Sequence, residues 1–184
     1  MTHATTETIL LGGGCFWCME AVFKGLRGIK AVLPGYAGGH TPHPTYEEVC
    51  TNTTGHAEVI EVVFDPAEMP LRDLLAIYFT THNPTEINRQ GNDVGEQYRS
   101  VVYGTPQQLA VAEKVRQAID ESNIWGKPVV TALEPRPTFW PAEEQHQDYF
   151  ARNPDKAYCQ AVIAPKVAKA RQLYRARYSQ DQPS

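Results

Sequence analysis

Apolar positions along this chain change period several times, and each change marks an element. Glu7-Thr-Ile-Leu-Leu11 is a short apolar run that stops at Gly12-Gly13-Gly14, the pattern of a buried strand ended by a glycine turn. From Cys15 to Leu26 the chain turns apolar-rich, with Phe16, Met19, Glu20 and Phe23 at helical spacings. A second strand is predicted over Ile29–Leu33, followed by a glycine-rich turn through Gly35, Gly38 and Gly39. His56 to Phe64 is the clearest strand. Helices are predicted over Leu71–Thr80, where Leu71, Leu74, Leu75 and Tyr78 line one face, and over Pro106–Glu121. Between them His82 to Gly95, rich in Asn, Gly and Asp, is a loop. Strands at Arg99–Tyr103 and Val129–Glu134 and a helix at Ala142–Arg152 complete the pattern. Long helices between short strands predict an α+β two-layer sandwich with a split βαβ, ferredoxin-like core.

The chain has 184 residues, 42% of them hydrophobic, enough for one compact domain with a single core. No linker or repeat divides it, so 1–184 is expected to be one domain, with its core at about 7–160 and a tail at 161–184. A formal net charge of −4 argues against nucleic acid as a partner. The late basic cluster, Lys166, Lys169, Arg171, Arg175 and Arg177, is expected to be a solvated helix face or tail. No run approaches the ~20 apolar residues that span a bilayer. Met1 to Gly12 lacks the basic and long apolar stretches of a secretory signal, so the expected address is the cytoplasm. Four cysteines, Cys15, Cys18, Cys50 and Cys159, are unevenly spread in a mid-sized chain. In a reducing compartment such a set is expected to be catalytic or metal-binding rather than a structural staple.

Chemistry concentrates at Gly12-Gly13-Gly14-Cys15-Phe16-Trp17-Cys18. A strand running through glycines into a helix puts Cys15 at the helix N-terminus, where free N–H groups and the dipole are expected to ease ionisation of the thiol. The slim backbone lets a substrate approach the sulfur. Cys-x-x-Cys suits a redox pair or half of a zinc site. Zinc usually wants a second close pair, and the histidines at 3, 40, 43, 56, 82 and 146 are scattered. In the strand after His56, Glu58 shares a face with Ile60, Val62 and Phe64, while Glu61 takes the other face. At least one carboxyl should therefore sit among apolar neighbours, where desolvation raises its pKa and suits it to donate a proton. Tyr46 and Tyr98 each follow a loop, and a phenol can hold an oxygen atom by hydrogen bonding without carrying charge.

Gly14-Cys15-Phe16-Trp17, Gly55-His-Ala-Glu58, Gln90-Gly-Asn-Asp93 with Gln97-Tyr98-Arg99-Ser100, and Glu144-Gln-His-Gln-Asp-Tyr149 follow one another in this order. Together they resemble the peptide methionine sulfoxide reductase A family, over about residues 7 to 160. The resemblance implies reduction of the S epimer of methionine sulfoxide, free or within proteins, on an α+β fold with a split βαβ core. It implies Cys15 as nucleophile, Glu58 as acid, Tyr46 and Tyr98 as holders of the sulfoxide oxygen, and Phe16 and Trp17 as the wall receiving the substrate methyl. Asp93 would stand at the rim. It implies a sulfenic acid on Cys15, then a disulfide, with thioredoxin as reductant and no metal or organic cofactor.

Position 18 is a cysteine where many relatives have glycine, and the glycine-rich, cysteine-bearing tail of some members is absent. Cys18 and Cys159 are both candidates for the resolving role. Cys18 lies one helical turn from Cys15 and is expected to bond first, with Cys159 next in a relay. Cys50 is expected to be structural, and the protein monomeric. Two rivals stay open: a general disulfide oxidoreductase working through Cys15 and Cys18, and a metal-binding or adaptor module.

Overall fold

The computed structural model describes residues 5–179. In chain order it contains β1 (Glu7–Gly12), α1 (Phe16–Phe23), β2 (Ile29–Ala37), α2 (Tyr46–Cys50), β3 (Ala57–Phe64) and α3 (Leu71–Thr81). The short strands β4 (Arg89–Gln90) and β5 (Asp93–Val94) follow, then β6 (Val101–Gly104), α4 (Pro106–Ser122), β7 (Ala132–Pro135), β8 (Phe139–Pro141), α5 (Tyr149–Arg152) and α6 (Ala164–Leu173). β1, α1, β2, β3 and α3 begin within one residue of where the apolar periods place them. Thr45 and Thr105 start α2 and α4 with capping boxes, each side chain accepting an N–H while Glu48 or Gln108 reaches back.

Six strands form one mixed sheet in the order β7-β6-β1-β3-β2-β8. β1 and β2 flank β3 and both run antiparallel to it, so they are parallel to each other and joined through α1. β6 lies antiparallel to β1, and β7 runs parallel to β6 at one edge. The alternation of β3 divides the interior. Ile60, Val62 and Phe64 enter the main core with Phe16, Phe23, Leu74, Leu75, Tyr78 and Phe79. Ala57 and Val59 enter a smaller cluster on the other face, with Leu10, Ala37, Val101 and Tyr103. Each large side chain fully buried here contributes roughly 1.5–3 kcal/mol, and most of them lie on the helix-covered face. The architecture is thus α+β, with its helices gathered on the face that Glu58 also points to.

Four expectations are corrected. Gly35 belongs to β2, not to a turn: a Cβ there would fall 2.4 Å from the Phe139 ring, so glycine lets β8 approach the sheet. The strand expected over 129–134 begins only at Ala132, because the N–H groups of Val129 and Val130 go to Asp120 and to the Pro84 carbonyl (2.9 and 2.8 Å). The helix expected over 142–152 is two short turns, Glu144–His146 and α5, broken at Asp148. Asp148 takes a left-handed φ of 57°, and its N–H donates to the Glu20 carboxylate (3.1 Å). Beyond residue 160 the chain folds into helix rather than trailing away: Val167 and Ala170 of α6 are buried, and the Tyr178 hydroxyl donates to the Val22 carbonyl (2.6 Å). Lys169 and Arg171 lie on that helix, as a basic helix face requires. No helix among the described residues is long and apolar enough to cross a membrane.

Candidate active site

β1 delivers the chain to the site through Gly12–Gly14. A Cβ on Gly13 would come within 2.8 Å of the His82 ring, and Gly14 combines a φ of +92° with Gln90 packed against it. Glycine is required at both, and the turn places Cys15 as the N-cap residue of α1. The Cys15 carbonyl accepts from the N–H groups of Cys18 and Met19 (3.1 and 3.2 Å), the first bonds of the helix. Cys15 and Cys18 are almost fully buried, at 6% and 3% exposure.

Burial corrects the expected ease of ionisation at Cys15. Desolvation pushes its thiol well above the usual range, and a hydrogen bond with Cys18 and the nearby Glu58 push the same way. The Trp17 backbone N–H favours the thiolate but is outweighed. The shared hydrogen bond pulls Cys18 down instead. At rest Cys15 holds its proton within a paired dithiol.

Glu58 faces the same turn from β3. Its Oε1 accepts from the Phe16 N–H (3.1 Å) and its Oε2 from Gln97 Nε2 (3.0 Å). At 1% exposure, desolvation overcomes both bonds and raises the carboxyl from an ordinary 4.5 to about 8. Glu58 is therefore a neutral acid near pH 7 that contacts the N-terminus of the very helix Cys15 begins. Burial, followed by the Glu58 charge, also pushes the Tyr46 and Tyr98 phenols far up, so both remain neutral donors.

Aromatic rings wall the opening. Phe16 is stacked 6.1 Å from Tyr46, and Trp17 lies face to face with Tyr149 at 3.7 Å. Trp17 Nε1 donates to His146 Nδ1 (3.2 Å), which suits the neutral imidazole that burial favours. Glu143 accepts from the Tyr36 hydroxyl (2.9 Å) and the Tyr46 N–H (3.1 Å), fixing the start of α2. Asp93 accepts from the Tyr158 hydroxyl (2.8 Å), whose oxygen lies 4.0 Å from Cys18 Sγ.

The fold thus gathers Cys15, Cys18, Glu58, Tyr46, Tyr98, Phe16, Trp17 and Asp93 into one site. Cys159 is fully buried in a π-helical turn (Cys159–Ile163), near enough for the Cys18 charge to act on its thiol. Cys50, expected to be structural, has its thiol at the surface. It is exposed at the end of α2, where it hydrogen-bonds Tyr46 and accepts from Gln97 Nε2 (3.6 Å). Sequence reasoning assigned nothing to Gln97, Glu143, His146 or Tyr158. The signals were there in the sequence: Gln97 and His146 stand inside the ordered motifs, Glu143 adjoins one of them, and Tyr158 directly precedes Cys159. Among the described residues no group of three or more His, Cys, Asp or Glu side chains is disposed to hold a metal ion.

A buried dithiol facing a neutral carboxylic acid and two neutral phenols, on an α+β scaffold, defines a thiol-dependent oxidoreductase. Residues 7–178 match the family model of peptide methionine sulfoxide reductase. The chain is 52% identical to a peptide methionine sulfoxide reductase MsrA of Polynucleobacter asymbioticus, covering 93% of this chain and 90% of the relative. Among solved structures it is similar to Mxr1 of Saccharomyces cerevisiae in reduced form, with 34% identity, 86% and 91% coverage and a TM-score of 0.79. The same fold is shared with Mxr1 in complex with Trx2 (24% identity, 80% and 87% coverage, TM-score 0.56). The chain belongs to the peptide methionine sulfoxide reductase family.

Proposed function

We propose that this protein reduces methionine (S)-sulfoxide, free or within oxidised proteins, to methionine, with Cys15 as the nucleophile. The observation that carries this reading is the carboxyl of Glu58, kept protonated by burial and bonded to the first N–H after Cys15. The sulfoxide oxygen sits between Glu58, Tyr46 and Tyr98, with the substrate methyl against Phe16 and Trp17 and Asp93 at the rim. Cys15 sulfur attacks the sulfoxide sulfur while Glu58 gives its proton to the oxygen. Tyr46 and Tyr98 donate hydrogen bonds to that oxygen as negative charge develops on it. The new S–S bond then breaks as the oxygen passes from the substrate sulfur to Cys15; Glu58 regains a proton from the Cys15 thiol, methionine departs, and Cys15 is left as a sulfenic acid. Cys18 then displaces that oxygen as water and forms a disulfide with Cys15. Cys159 takes over the bond by thiol exchange, and a dithiol of the thioredoxin class returns the protein to its reduced state. No metal or organic cofactor takes part in this cycle.

The strand order β6-β1-β3-β2, with α1 and α3 as the connections, supports a split βαβ, ferredoxin-like core within one domain of residues 1–184. Its reducing chemistry suits a cytoplasmic address. The test is racemic methionine sulfoxide with dithiothreitol, each epimer followed by chromatography, beside Cys15→Ser. Loss of the S epimer alone, abolished by the substitution, is the expected result. Insulin reduction without sulfoxide loss would favour general disulfide exchange instead. Mass spectrometry after one turnover reads the resolving order, and a first disulfide between Cys15 and Cys159 would overturn the order given.

A further inference from the structure

The buried polar groups around Glu58 include one that the chemistry above does not use. Gln97 is 2% exposed and sits in the single turn Glu96–Tyr98, so the turn that presents the Tyr98 phenol also aims the Gln97 amide at Glu58. Its Nε2 donates to Glu58 Oε2 at 3.0 Å, and the Phe16 N–H fills Oε1. Each carboxyl oxygen thus carries one fixed donor, which pins the carboxyl plane. Cys50 Sγ, 3.6 Å away, is a second acceptor for the same amide and anchors it from the other side.

We infer that Gln97 is a positioning residue for the reduction, orienting the Glu58 carboxyl so that its acidic proton faces the sulfoxide oxygen. The inference rests on the activity proposed above. A neutral amide donor suits this place for a physical reason. A cation would hold Glu58 as a carboxylate and remove the acid, whereas an apolar side chain would leave the carboxyl free to turn. An amide fixes the group and favours its ionised form only modestly. Cys50 serves here as a weak outer acceptor for the same amide.

The test compares wild type with Gln97→Met, which keeps the volume and removes the N–H donor. Without the donor, the alkaline limb of kcat moves to higher pH by about one unit, since a hydrogen bond to a charged group is worth about that much. At neutral pH kcat falls about tenfold while KM changes less than about threefold. Gln97→Glu supplies the rescue arm. As pH falls and the new carboxyl binds a proton it becomes an O–H donor, and activity returns. Infrared titration of the Glu58 carboxyl, identified by its loss in Glu58→Gln, reads the same shift without turnover. A rate loss with an unmoved alkaline limb and an unmoved carboxyl band would mean that Gln97 only supports packing, and would overturn the inference. So would an unchanged rate. A folded wild type that leaves methionine sulfoxide intact would instead sink the proposed function, and this role with it.

Discussion

Glu58 and Glu61 stand three residues apart on β3 and point to opposite faces of the sheet. On the helix-covered face, Glu58 meets no cation: its partners are a backbone N–H and an amide, and burial keeps it protonated to about pH 8. On the other face, Glu61 pairs with the Arg136 guanidinium, which also donates to Thr8 Oγ1 (3.1 Å), and part of it reaches solvent. One side chain type on one strand therefore becomes either an acid or half of a surface ion pair. What separates them is the layer each faces, since only the packed helices exclude water from Glu58.

Activity offers the largest test of this contrast. Glu58→Gln should lower kcat by about 10²–10⁴, the usual contribution of a positioned general acid. Glu61→Gln should stay within about twofold in the same assay. Comparable losses in both variants would mean that the two faces are not chemically distinct.

Stability against pH sharpens the contrast next. The Glu58 carboxyl ionises near 4.5 when unfolded but only near 8 in the folded chain, so between these values the folded state binds more protons. This group therefore makes wild type less stable as pH rises from about 4.5 to 8. Glu58→Gln lacks that loss, so its melting temperature should gain on wild type by several degrees across the window and hold its lead above it. A difference of about 1 kcal/mol moves the midpoint by about 2–4 °C in a chain of this size. Melting curves that stay parallel from pH 5 to 9 would remove Glu58 from the class of buried acids.

The smallest effect belongs to the outer face. Arg136→Ala should cost no more than about 1 kcal/mol in chemical denaturation, because a partly solvated ion pair gains little over its hydrated components. A loss several times larger would show that the pair is shielded like the interior.

Much of the scaffold was legible because local periodicity and turn chemistry act over a few residues. The run Glu7–Leu11, the glycines before Cys15, the alternation from His56 to Phe64, the face of α3 and the span of α4 all appear where the pattern places them. The failures share one cause, a distant partner overriding a local preference. The carboxylate of Glu20 captures the Asp148 N–H and breaks a plausible helix, and Phe139 claims the space over Gly35.

The site divides in the same way. The sequence by itself determined which groups could do chemistry: a cysteine at a glycine-to-helix junction, a glutamate on the apolar face of a strand, and the ordered motifs of one family. Only the tertiary structure decided their states. It buried Cys15 so that its thiol holds a proton, kept Glu58 neutral, exposed Cys50 at the site's edge and placed Gln97 against Glu58. Proton affinity follows from the water and charge around a group, and residues 39 positions apart in the chain become each other's surroundings only once it has folded.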